Sequence, residues 1–400
     1  MSAIQKVDQR RNVYILSFTL LVVMLGFGLV IPIIPYYMEA FGAGGTELGL
    51  LVASYAVMRL ICGPIWGSLS DRIGRKPVLM IGIFGYGVTM ILFGLATELW
   101  MLFAARILAG ILSSATSPTT MAYIGDSTSE EERGRGMGVL GAAIGIGTIL
   151  GPGVGGLLAL NSLATPFFLA GGMSVVALLL VWWLLPESLS AAARQAVQQQ
   201  ARPSAGDLAR ALVSPMGALF FLALLVAFAT TALYSIFGLY ALAKFDFGPE
   251  LVGGILMVVG LVSAVAQGVL IGPVTKQWGE TPVIGVTMVA TAAGFILIAL
   301  SATPLTFLGA VAFFTLATAL LTPTVAALTS KRTTFEQGIT MGISNAYTSL
   351  GRIVGPLLAG IALDVALELP MLLAATVMLA GALASMVWLR GTTTPAAANG

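Results

Sequence analysis

Four hundred residues would ordinarily make two or three soluble domains, but 58% of this chain is apolar, 48 further residues are glycine, and only 19 basic and 17 acidic side chains (net +2) remain to cover a surface. With a mean hydropathy of +0.98 and long apolar segments, the composition specifies an integral membrane protein built of helices and excludes a soluble globule or a β-barrel. The absence of histidine and the single Cys62 exclude imidazole chemistry, a disulfide framework and a thiolate metal site, and the charge balance offers no footprint for nucleic acid.

In chain order, Lys6, Arg10 and Arg11 precede an apolar run too long for a signal-peptide core, which reads as the first span. Apolar length predicts twelve spans, near 13–38, 47–67, 78–97, 99–122, 137–160, 166–185, 215–240, 250–272, 282–302, 304–327, 339–363 and 370–389. The break after the sixth span carries PES, QQQ, RPS and GD, the composition of a linker. The expected organisation is an N-terminal six-helix bundle over 1–188, a cytoplasmic linker over 189–212 and a C-terminal six-helix bundle over 213–400. Placing the N-terminus inside puts Arg72, Arg75, Lys76, Arg133, Arg135, Arg194, Arg202, Arg210, Lys276, Lys331, Arg332 and Arg390 on the cytoplasmic face and only Lys244 outside. Both termini are then cytoplasmic.

Within the spans, Pro32 and Pro35 break the first near its outer end, either as a helix terminus or as a hinged segment. Gly147, Gly151 and Gly155 recur every fourth residue in the fifth span, with Gly141 and Gly145 before them and Gly156 after. They form a small-residue face for close helix packing, and Pro152 should bend the span. Arg59, Arg106 and Arg352 lie inside spans, at depths of about 12, 12 and 15 Å by helical rise. A cation there costs at least a few kcal/mol, so each is either a buried structural arginine or a functional one. No carboxylate falls in a span interior; Glu39, Glu47, Glu98 and Glu250 mark the outer rim and Asp71 and Asp126 the inner one.

The halves repeat. EERGRGMG (131–138) matches FEQGITMG (335–342), Gly147, Gly151 and Pro152 match Gly351, Gly355 and Pro356, and GSLSDRIG (67–74) matches GPVTKQWG (272–279), all in nearly the same register. Duplicated halves of the same topology describe a carrier that rocks around a central site. The expected fold class is an all-α membrane protein of twelve transmembrane helices in two pseudo-symmetric six-helix bundles.

At this point the motifs resemble those of the major facilitator superfamily. GSLSDRIGRKPV (67–78) is similar to its loop 2–3 signature, and GIGTILGPGVGG (145–156) to the span-5 signature of its twelve-span drug:proton antiporter branch. RILAG (106–110), LGFGLVIPIIP (25–35), YIGDSTSEEERGRGMG (123–138) and SLGRIVGP (349–356) resemble the tetracycline and multidrug efflux transporters. The likeness covers nearly the whole chain.

The resemblance implies a conformational latch of Asp71, Arg72, Gly74, Arg75 and Asp126, in which Asp71 also faces a helix N-terminus of the opposite half. The second-half copy is altered, with Lys276 at the position of Asp71 and Glu280 at that of Arg75. It implies an antiporter motif at Gly147, Gly151, Pro152, Gly155 and Gly156, and it ties Arg106 to proton coupling. Relatives often carry an acid in the first span just before LGFG, where this chain has Val22, Val23 and Met24. The remaining proton-coupling candidates are Arg106, Glu39, Asp71 and Asp126.

A substrate cavity between the halves is expected from Phe27, Tyr36, Tyr55, Phe228, Tyr234, Phe237, Phe313 and Phe314, with Gln267, Asn345, Tyr347 and the arginines Arg59, Arg106 and Arg352. Such a lining suits lipophilic or amphipathic compounds. Three intramembrane arginines without acids disfavour a dedicated cation pump. The expected protein is no enzyme and needs no cofactor or metal. The expectation is a monomeric multi-pass protein of the bacterial cytoplasmic (inner) membrane, surrounded by membrane lipids, that exports small lipophilic molecules, as in antibiotic resistance, in exchange for protons. The alternative is an exporter or flippase of an endogenous lipid or amphiphilic anion without proton coupling.

Overall fold

The computed structural model describes residues 3–128, 130–189, 216–333 and 337–390. The linker expected over 189–212 lies outside them apart from Leu189, with Arg194, Arg202 and Arg210; so do the side chains of Lys6, Arg10, Arg133 and Arg390. Among the described residues every regular element is a helix: α1 (Ala3–Val30), α2 (Ile34–Ala40), α3 (Gly45–Ile73), α4 (Arg75–Gly94), α5 (Leu99–Ser113), α6 (Thr116–Ser127), α7 (Glu130–Ala159), α8 (Thr165–Leu184), α9 (Gly217–Phe245), α10 (Pro249–Val265), α11 (Ile271–Trp278), α12 (Glu280–Leu300), α13 (Pro304–Lys331), α14 (Gln337–Val365) and α15 (Leu369–Arg390). Among the described residues twelve segments are long and apolar enough to cross a membrane, and each overlaps a predicted span.

Their outward faces are what a lipid environment requires. Leu157, Leu160, Trp183, Leu300 and Leu305 are all more than half exposed, a surface that water would not tolerate and hydrocarbon matches. Trp100 at one end of α5, Trp182 and Trp183 at the end of α8 and Trp278 at the end of α11 are also exposed, where indole rings anchor helix ends at the headgroup level.

Prolines explain the irregularities. The fourth span is two helices, because α5 stops at Ser113 and α6 restarts at Thr116. Pro118 has no N–H to continue the ladder, and its ring displaces the preceding turn. In the eighth span a five-residue π turn, Ala266–Leu270, joins α10 to α11; Pro273 follows, and the widened turn absorbs the carbonyl it leaves unpaired. The first span ends at Val30, and a turn containing Pro32 redirects the chain into α2.

The chain forms two compact units. One comprises Met1–Arg202 with Phe237–Gly260, the other Pro203–Ile236 with Leu261–Gly400. In the first, α1 packs against α7 and α8. One core cluster gathers Leu29, Ile33, Tyr37, Phe93 and Phe167, with Phe93 and Phe167 stacked 5.3 Å apart. A second gathers Leu16, Leu20, Leu79, Tyr123 and Val181. In the other unit, α12 packs on α13 and α15, and Phe295 meets Phe314 edge-on at 4.8 Å.

The sequence repeat is a structural repeat. A Cβ on Gly151 would lie 2.6 Å from the Cα of Gly28, so α7 touches α1 backbone to backbone. At the matching position, a Cβ on Gly355 would lie 2.8 Å from the Phe228 carbonyl, so α14 sits on α9 in the same way. Gly74 (φ 114°) and Gly279 (φ 75°) make the equivalent left-handed joints before α4 and α12, a conformation that side-chain-bearing residues rarely adopt. The fold is a pair of pseudo-symmetric six-helix bundles.

Candidate functional site

Three of the predicted constellations assemble in the unit formed by residues 1–202 and 237–260. The first is the charged loop between α3 and α4. Gly74 turns the chain so that Arg75, only 7% exposed, points back along α3. Its Nε donates to Asp126 Oδ2 (2.8 Å) at the end of α6, and its Nη1 donates to Ser70 Oγ (2.8 Å) and pairs with Asp71. A guanidinium with three fixed acceptors is stronger than an exposed pair because little solvent competes. Arg72 is exposed and takes no part in this network.

Glu187 belongs to this network, although its PES context reads as linker. Its carboxylate accepts the backbone N–H of Arg75 (2.9 Å) and of Lys76 (3.2 Å), capping the first turn of α4. Lys76 Nζ donates to the Trp182 carbonyl (2.7 Å), and Tyr123 OH donates to the Pro186 carbonyl (2.8 Å). The chain leaving α8 is thereby clamped across the latch.

The second constellation is the glycine-rich face of α7. Gly147, Gly151 and Gly155 all face α1, against Met24, Leu25, Gly28 and Leu29. Gly156 lies on a different side, against Pro249, Glu250 and Gly253 of α10 and its approach, and the Pro152 carbonyl approaches Gly253. Pro152 lies inside α7, where it donates no backbone hydrogen bond and frees a carbonyl one turn earlier. Gly141 and Gly145, expected to extend the face, meet nothing within 4 Å. Close by, Tyr36 OH donates to the Phe247 carbonyl (2.7 Å), and Pro35 lies against Gly238. Burial, and then the carboxylates of Glu250 and Glu39, raise the Tyr36 phenol well above its ordinary range, so it stays a donor. Glu39 itself is exposed at the end of α2.

The third is an arginine–aromatic cluster. Arg106 of α5 is 8% exposed, and its Cζ lies 4.6 Å from the ring centroid of Tyr55 on α3. Phe27 of α1 stands 6.5 Å from both Tyr55 and Tyr86 of α4. Tyr55 OH shares a hydrogen bond with Ser113 (3.2 Å), and Arg59, half-buried one turn along α3, lies within electrostatic reach of Tyr55. Among the described residues, the buried Nε of Arg106 and the hydroxyl of Tyr86 have no hydrogen-bond partner. Tyr86 and Ser113 carried no signal in the sequence, because nothing local marks them; α4 and α5 bring them to Arg106.

The remaining candidates fall elsewhere. Phe237 is 1% exposed and is a core residue of the first unit. In the other unit Tyr234 OH lies 3.4 Å from Thr315 Oγ1 and its ring meets Phe314 edge-on. Tyr347 rests on Phe220, ring centroids 5.8 Å apart. Phe228 is buried and Phe313 exposed. Gln267 is exposed on the π turn, and Asn345 and Arg352 are exposed on α14. The altered loop of this half has a pair of its own, Glu280 with Lys331, while Lys276 is exposed.

Comparison with known proteins completes the description. A profile of the Major Facilitator Superfamily matches residues 16–271 and 219–400. The chain is 32% identical over 387 residues to Multidrug resistance protein 2 of Bacillus subtilis (strain 168), covering 96% of this chain and 97% of that protein. It is 34% identical over 346 residues to the Tetracycline resistance protein, class C, of Escherichia coli, covering 84% and 85%. A crystal structure of a bacterial homolog to the human lysosomal transporter Spinster superimposes with a TM-score of 0.76 at 15% identity, over 99% of this chain and 100% of that one, a likeness of fold.

Proposed function

This chain belongs to the major facilitator superfamily, and on that premise we propose that it is a secondary active exporter of lipophilic or amphipathic small molecules, working by alternating access and driven by proton exchange. The observation that carries the reading is the full-length likeness to Multidrug resistance protein 2, supported by a matching apparatus in the chain itself. The Arg75 network supplies a bistable latch, and the seam of Gly156 and Pro152 against Gly253 supplies a surface that opens and recloses with little side-chain rearrangement.

Sidedness follows the lysine and arginine distribution, with the latch and both termini facing the cytoplasm of a bacterial inner membrane. In that orientation the Tyr36–Phe247 bond and the Gly156–Gly253 approach lie at the outer end, and they close it. Every acidic residue among the described residues lies in a loop or near a helix end. The proton is therefore carried at the membrane edges, by Glu39 outside and by Asp71 or Asp126 inside, while Arg106 is a fixed cation at depth whose counter-charge changes through the cycle.

A second reading, export of an endogenous lipid or amphiphilic anion without proton exchange, is favoured by the buried Arg106, whose Nε is unpaired among the described residues. Purified protein in liposomes separates the two. Saturable dye movement that follows an imposed pH gradient supports antiport, and saturable movement indifferent to it supports the second.

A further inference from the structure

The third cluster holds a cation, Arg106, with no carboxylate paired to it among the described residues. The guanidinium of Arg106 lies over the Tyr55 ring. That contact occupies none of its N–H donors in a hydrogen bond, and Nε is buried and unpaired. Tyr86, 4% exposed, holds an unpaired hydroxyl in the same cluster. A buried polar group left in this state costs desolvation that nothing repays, and a charged one costs more. Arg59 adds a second positive charge around Tyr55. The walls are aromatic, Phe27, Tyr55 and Tyr86, and Phe27, Tyr55, Arg59 and Ser113 are partly exposed above the buried floor.

We infer that this cluster is a recognition site for a small aromatic organic anion. One carboxylate or sulfonate accepts from the guanidinium of Arg106 and the hydroxyl of Tyr86, and the aromatic body lies on Phe27 and Tyr55. The inference rests on the export reading above and narrows its substrate class. Two features of the chemistry support an anion: guanidinium is a fork that matches two acceptor oxygens, and no carboxylate stands among the described residues to neutralise it. A cationic ligand would be placed against two like charges.

The test uses two ligands with one aromatic body, 8-anilinonaphthalene-1-sulfonate and uncharged N-phenyl-1-naphthylamine. Each is titrated calorimetrically into the full-length protein in neutral detergent, with protein-free micelles subtracted. The anion is expected to bind about tenfold tighter or more. Arg106→Met should abolish that preference while changing the neutral ligand little, and Tyr86→Phe should reduce it by about threefold. Equal affinities in the native protein, or an undiminished preference in Arg106→Met, would overturn the inference. Should Arg106→Met fail to stay monodisperse, Arg106→Lys carries the test, because a point charge lacks the fork: a preference reduced by about threefold or more is expected, and an unchanged one overturns it. Phosphatidylglycerol added to the micelles should not compete; competition would make the natural anion a lipid phosphate and overturn the small-anion assignment. The same two ligands in proteoliposomes separate this from the export reading. Transport of the neutral one without anion preference sinks only the inference, whereas transport of neither sinks export.

Discussion

Glu280 pairs with Lys331 at the repeat positions of Arg75 and Asp126, with the charges exchanged. Both pairs join the helix after a left-handed glycine, Gly279 or Gly74, to the end of the next span, α12 to α13 and α4 to α6. Their burial differs: Arg75 is almost enclosed, and Lys331 is 67% exposed along its side chain. Duplication has kept the joint, while only one copy retains a desolvated network.

That difference predicts unequal mutants. Arg75→Ala leaves Asp71 and Asp126 without their cation in a half-closed site, at a cost of about 3 kcal/mol or more. Lys331→Ala should cost no more than about 1 kcal/mol, since solvent screens the pair. Thermal unfolding of detergent-purified protein, followed by circular dichroism, should show a marked fall for the first and little change for the second.

The glycine face predicts position-specific tolerance. Gly151→Ala places a Cβ within 2.6 Å of the Gly28 Cα, so α1 and α7 must separate, an overpacking cost of about 1–3 kcal/mol. Gly141→Ala, on the same helix, meets open space and should be neutral or stabilising by up to about 1 kcal/mol. Melting temperatures of the two variants give the comparison directly; equal effects would remove the contact from the explanation.

Much of this architecture is legible in the residues. Hydropathy places all twelve spans because apolar length is set by the bilayer, and the repeat is visible because its glycines are held by backbone contact. The break at 114–115 and the π turn were also signalled, by Pro118 and Pro273, but a hydropathy reading passes over them. Glu187 and Tyr86 were not legible. Glu187 sits in a polar stretch whose composition says linker, and only the fold carries it to the start of α4. Tyr86 is one of many aromatic residues in apolar helices until α4 sets it beside Arg106. Long-range placement, and not residue type, distinguishes them.

Glu187 yields a prediction of its own. Glu187→Ala removes the carboxylate that accepts two N–H groups at the start of α4, at a cost of about 1–2 kcal/mol by analogy with helix capping. It should also loosen the Arg75 network, so Arg75→Ala and Glu187→Ala together should cost less than the sum of the two singles. Additive melting shifts would separate the clamp from the latch.

Arg106→Ala should abolish transport while leaving the helical content and monodispersity of the purified protein intact, because Arg106 makes no hydrogen bond among the described residues that the fold would lose. Retained dye export at the native rate would return Arg106 to a structural role.

The most direct test of export by alternating access is transport of a lipophilic dye by purified protein in liposomes under separately imposed pH and voltage gradients. The account predicts a saturable flux, driven against the dye gradient by an opposing proton gradient and lost in Arg106→Ala. A flux that rises linearly with dye concentration, or no flux under either gradient, would contradict it.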